Sequence, residues 1–233
     1  MPMRKGFMKG IEVRIADRTG RRKSAIGTTT SLFGSHAVTW NRMADRLYLS
    51  YWLRGFSPMN MARHFEKMLA NFPFSPDNPA HTTLRVQAIS SDEPAVLEHE
   101  FPDPVDVAEI GTVMRPAIST DCCVEIAAWW GLWQYQNDGV LRPAPVRLFL
   151  FGPEFEGYEL ADGTREQIRI EFGLESHFLV QPHLANSPYY AQSNLKGLLQ
   201  LSHSLDEALA VEKRKLWSES GENFAERFKS VLQ

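Results

Sequence analysis

Alternation and helical spacing trade places along the first half of the chain. From Arg46 to Leu53, Leu47, Leu49, Tyr51 and Leu53 fall on one side and Arg46, Tyr48, Ser50 and Trp52 on the other, which predicts a strand. Met61, Phe65, Met68, Leu69 and Phe72 then recur at helical intervals. Ser57-Pro58 supplies an N-cap and a first helical residue, and Pro73 and Pro76 close the element. Thr82 to Ser90 alternates again, with Leu84, Val86 and Ala88 on one side. The turn Ser91-Asp92-Glu93-Pro94 leads into a third strand through Leu97, His99 and Phe101. Asp106 to Met114 returns to helical spacing through Val107, Ile110, Val113 and Met114.

Three candidate strands follow in succession: 122–135, 146–156 and 166–178. Asn137-Asp138-Gly139 and Asp162-Gly163 mark the turns between them. Pro143 and Pro145 delay the start of the middle strand. Short connections between successive strands predict an antiparallel meander. After a Pro- and Asn-containing loop, Leu195, Leu198, Leu199, Leu205 and Leu209 form the stripe of a helical C-terminus. Ser204 with Glu207 reads as a capping box, which places a break near Ser202. Ser220 is placed to cap a final helix carrying Phe224, Phe228, Val231 and Leu232. The order β-α-β-β-α-β, then β-β and helices, predicts an α+β fold: a mainly antiparallel sheet with helices packed on it. A ferredoxin-like first half is the sharper expectation.

Strand parity sorts the meander into two faces. Even positions are apolar: Val124, Ile126, Ala128 and Trp130; Val146, Leu148 and Leu150; Ile168, Ile170, Phe172 and Leu174. Odd positions gather Cys123, Glu125, Trp129, Trp133, Arg147, Phe149, Phe151, Arg169, Glu171, Glu175 and His177. Aromatic contact area interleaved with charge is what a binding surface requires. The competing expectation is that helices cover this face and its charges pair across strands, Arg147 or Arg169 with Glu171 or Glu125.

Charge changes the picture at the N-terminus. The 233 residues sum to −3, but residues 1–42 carry +7 and residues 43–233 carry −10. The first segment is also rich in Gly, Ser and Thr and lacks sustained periodicity, so it reads as a basic arm too polar to build a core. Such an arm attracts phosphates or an acidic surface, or serves as a targeting leader. The plainer expectation is translation from Met43, leaving 43–233 as one domain. The only cysteines, Cys122 and Cys123, are adjacent, too close for a relaxed internal disulfide, so a cytoplasmic location is expected. The longest apolar run is far shorter than the ~20 residues of a membrane span, and no membrane contact is expected.

Candidate chemistry narrows the choice mainly by subtraction. The chain has no GxGxxG, GxSxG or HExxH, and Gly20–Gly27 is followed by Thr28 where a phosphate-binding loop needs Lys. The histidines show no zinc spacing, so neither a metal nor a cofactor is expected. Glu171 and Glu175 on one strand would lie ~13 Å apart, too far for paired glycosidase carboxylates. Cys123, Glu125 and His177 are the remaining catalytic candidates, a thiol that would need a base within reach. The resulting expectation is a protein-binding protein, not an enzyme. Its acidic body engages another, basic protein, in the manner of an immunity protein or antitoxin, through Trp129, Trp133, Arg147, Phe149, Phe151, Arg169, Glu171 and Glu175. No specific nucleic-acid contact is expected. The alternative is an enzyme or small-ligand binder using Cys123, Glu125, Arg147 and His177.

Overall fold

A computed structural model of the chain describes residues 45–77, 79–134, 140–156, 163–219 and 224. The basic arm and most of the final helix expected after Ser220 lie outside these residues. Among them, seven strands and three α-helices form: β1 (Arg46–Leu53), α1 (Met61–Asn71), β2 (Thr82–Ala88), β3 (Ala95–Phe101), α2 (Val107–Met114), β4 (Cys122–Gln134), β5 (Val140–Phe151), β6 (Ile168–Leu174), α3 (Ser187–Ala208) and β7 (Val211–Ser218). The strands make one sheet in the order β3-β2-β4-β5-β6-β1-β7, and every neighbouring pair is antiparallel. The fold is α+β.

All three helices bury their stripes against the same side of the sheet. Met61, Phe65, Met68 and Leu69 of α1 share one cluster with Ile110 and Met114 of α2 and with Leu195, Leu198, Leu201 and Leu205 of α3. The strands feed that cluster from one parity: Leu49 and Tyr51, Val124 and Ile126, Leu148 and Leu150, Ile168 and Ile170. Each such side chain contributes ~1.5–3 kcal/mol over an exposed one, so this layer dominates stability.

The ferredoxin-like arrangement does not form. In that arrangement the first strand sits centrally, against the fourth; here β5 and β6 separate β1 from β4. The physical reason is the length of β4 and β5, which pair over twelve positions from Cys123↔Phe151 to Gln134↔Val140 and claim that edge of β4. The prolines also fall inside β5, not before it. Among the described residues β6 pairs with β5 only over Arg147–Leu150, so Pro143 and Pro145 occupy a stretch with no outer partner to receive an N–H.

Three local expectations are corrected as well. Helix α1 begins at Met61, because Ser57–Asn60 forms a turn in which Asn60 Oδ1 accepts from Ser57 N–H at 2.9 Å. Helix α3 runs unbroken past Ser202 and Ser204, since buried Leu198, Leu201 and Leu205 keep its stripe continuous and Arg214 donates to Ser202 Oγ at 2.8 Å. The C-terminus is not wholly helical, since Val211–Ser218 is strand β7, paired with β1.

Candidate functional site

The sheet's second face carries rows of side chains that cross every strand. Register places Glu98, Arg85, Glu125, Phe149, Arg169, Ser50 and Lys215 in one row, from the β3 edge to the β7 edge. The next row runs through Glu100, Thr83, Ala127, Arg147, Glu171, Tyr48 and Trp217. Among the described residues no helix packs its apolar stripe on this side. Tyr48, Ser50 and Glu171 are buried on it, and a small separate apolar cluster forms from Cys123, Phe151 and Phe155, with Phe149 against it.

Most charges on the face are paired, and Arg147–Glu125 is one of the cross-strand pairs expected, but among the described residues no helix covers the face as that expectation also required. Arg85 meets Glu98 at 2.8 Å, Arg147 meets Glu125 at 3.4 Å, and Arg46 meets Glu171 at 2.5 Å. Arg169 pairs instead with Glu166, three residues earlier and wholly buried. Its guanidinium lies over three rings, 5.7 Å from Tyr48, 5.4 Å from Phe151 and 5.6 Å from Trp217. Tyr48 and Trp217 stack at 4.3 Å, and each is tied down at its polar end: Tyr48 donates to Glu219 at 2.7 Å and Trp217 Nε1 to Ser50 Oγ at 2.8 Å. Burial, then the bond to Glu219, pushes the Tyr48 phenol upward. This end of the face is a locked cluster.

The other end is open. A concavity of about 620 Å³ lies over β3, β2, β4 and β5. Thr83 and Ala127, paired directly opposite one another, leave its floor low. Arg85, Glu98, Glu100, Glu125 and Arg147 rise around it. Arg147 is 50% exposed against 19% for its partner Glu125, so the pair presents its guanidinium to solvent and keeps its carboxylate beneath.

The structure redistributes the residues expected on this face. Arg147, Phe149 and Trp129 remain at least partly exposed there. Phe151 is only 5% exposed and packs with Cys123 and Phe155. Arg169 and Glu171 are occupied by the contacts above. Trp133 stacks on Tyr190 of α3 at 5.1 Å and donates from Nε1 to Ser193 at 3.1 Å, so it serves helix packing. Glu175 and His177 leave the face altogether: Gly173 adopts φ 74° and turns the chain into a 3-10 turn over Glu175–Phe178. Sequence parity could not anticipate that break. Nor could it place Arg85, Tyr48 and Trp217 on this face, because that depends on sheet order.

The catalytic constellation of Cys123, Glu125, Arg147 and His177 is not assembled. Burial, reinforced by the charge of Glu125, pushes the Cys123 thiol well above its ordinary range, which keeps it protonated and poorly nucleophilic at neutral pH. Among the described residues no group of three or more His, Cys, Asp or Glu is placed to hold a metal ion, and no helix is long and apolar enough to cross a membrane. Compared with protein-family models, curated proteins and solved structures, the chain matches none.

Proposed function

We propose that this chain is a protein-binding domain whose partner, a basic protein, docks on the open part of the sheet's second face. The single observation that carries the reading is the concavity over β3, β2, β4 and β5, on a side of the sheet where no described helix packs. Its rim holds three carboxylates, Glu98, Glu100 and Glu125, against two guanidiniums, Arg85 and Arg147. That local excess has the same sign as the −10 of residues 43–233. Long-range attraction draws a cationic surface in, and the cross-strand ion pairs can then exchange partners with it at little cost, because they are already solvated. Phe149 and Trp129 supply contact area beside the charges. An immunity- or antitoxin-like role, neutralising a basic target in a reducing compartment such as the cytoplasm, is one use of such a surface. The two cysteines, both free and buried, fit that compartment.

The test is affinity capture of partners on the tagged full chain, comparing wild type with Glu98→Lys/Glu100→Lys. Both side chains are exposed edge-strand positions, so the variant is expected to keep its unfolding midpoint while losing at least tenfold of a basic partner. Equal recovery by the two proteins, or recovery only of acidic partners, would falsify the reading.

A further inference from the structure

A second concavity, of about 500 Å³, opens where β4 ends, β5 begins and β6 ends. We propose that it binds a small, uncharged, mostly apolar molecule carrying a carbonyl-type oxygen, which accepts a hydrogen bond from Nε2–H of His177. This site is separate from the open sheet face and does not depend on it.

The volume lies within the ~300–1,000 Å³ of small-molecule sites, and the walls have their character: apolar, with a few polar groups. Pro145, Phe172, Leu174 and Leu184 form the apolar lining. Leu174 is 41% exposed, among the exposed large hydrophobics. Apolar surface of this kind, gathered around a concavity, gains from being covered.

His177 is held in place by the backbone around it. The positive φ of Gly173 sends the chain off the sheet, Phe178 is fully buried beside it, and the amide of Asn194 donates to the His177 carbonyl at 2.8 Å. His177 is among the residues that line the concavity, and its Nδ1 is buried without a hydrogen-bond partner. Burial lowers its proton affinity, so the ring is neutral at pH 7 and carries one N–H. A buried N–H with no acceptor is rarer and costlier than a bare buried lone pair, which assigns the proton to Nε2. That leaves a donor looking for an oxygen. The described lining holds no charged side chain, so an anion would enter uncompensated and a neutral ligand is preferred.

The experiment titrates the full chain with acetophenone, with ethylbenzene as a match lacking the oxygen, and with benzoate as a charged match, while nitrogen-detected NMR follows the histidine rings. The expected result is an Nε2–H tautomer at His177 in the free protein and a saturable shift of that nitrogen with acetophenone. Acetophenone should bind roughly five- to tenfold more tightly than ethylbenzene, the worth of one net hydrogen bond, with benzoate weakest. His177→Leu should erase the difference between the first two while ethylbenzene still binds. An Nδ1–H tautomer, equal affinity for acetophenone and ethylbenzene in the wild type, preference for benzoate, or no saturable binding by any probe overturns the proposal. Should His177→Leu fail to fold, the tautomer and the ranking of probes on the wild type decide it.

Discussion

Cys123 shows how burial converts a candidate nucleophile into a stability determinant. Its side chain sits among Phe151 and Phe155, and both it and Cys122 have thiols pushed upward by burial. A thiol reagent at pH 8 should therefore label neither cysteine at an appreciable rate until denaturant is added; prompt labelling of the folded chain would count against this account. The same shifts set the alkaline behaviour. In the unfolded chain a thiol ionises near ~8.5, below its folded value, so the unfolded state loses its proton first. The stabilisation is intact below that pH and is lost as pH rises toward the folded value. Tyr51, pushed up to about 12 by burial, adds a second loss above ~10. Urea midpoints should fall from pH 8 upward, and Cys122→Ala/Cys123→Ala should delay the fall to the tyrosine range. Arg169 tells a related story about charge. Removing it in Arg169→Ala strands the fully buried carboxylate of Glu166 and should cost about 2–4 kcal/mol in urea unfolding. Arg169→Met/Glu166→Gln should recover most of that, because the loss comes from the orphaned charge more than from the missing contact.

Strand β7 is where sequence pattern and structure part most clearly. Its residues, Val211-Glu212-Lys213-Arg214-Lys215-Leu216-Trp217-Ser218, hold four consecutive charged side chains and no apolar period of either kind, so the helical stripe of α3 reads straight through them. What makes them a strand is the free edge of β1, which pairs from Leu47↔Ser218 to Leu53↔Val211. Lysines suit an edge strand, where they discourage pairing with another chain. Hydrogen exchange over residues 211–218 should show period-two protection, the amides facing β1 slow and the outward ones fast; a contiguous block of slow amides would mean helix. Strands β4 to β6, in contrast, are legible because seven to thirteen residues in each alternate on a template whose apolar side faces helices. The candidate face was readable there as far as Gly173, where a positive φ ends the parity that had carried Glu175 and His177 along. The rows that complete the face could not be read, since Tyr48 and Arg85 alternate equally well in any strand order and Trp217 lies in a strand that the pattern does not show.

On the proposed reading, charge and aromatic area divide the work of association across the molecule as a whole. A basic partner docking on the open face would meet the −10 of residues 43–233 over a Debye length, at encounter, and Phe149 and the paired residues around Ala127 only after contact. Substitutions should therefore separate in kinetics. With the captured basic partner, Glu98→Lys/Glu100→Lys should slow association several-fold and flatten its dependence on ionic strength, leaving dissociation nearly unchanged. Phe149→Ala should do the opposite, speeding dissociation roughly tenfold or more, as the loss of a partly buried aromatic contact would, with association at its wild-type rate. Phe149 also packs against Cys123 and Phe151, so its variant must be shown to keep the protected thiol before the rate is assigned to the interface. If both variants alter only dissociation, the body's charge does not steer the partner. If neither alters either rate, the partner sits elsewhere, and the concavity over β2 and β4 is a surface hollow left by two small residues.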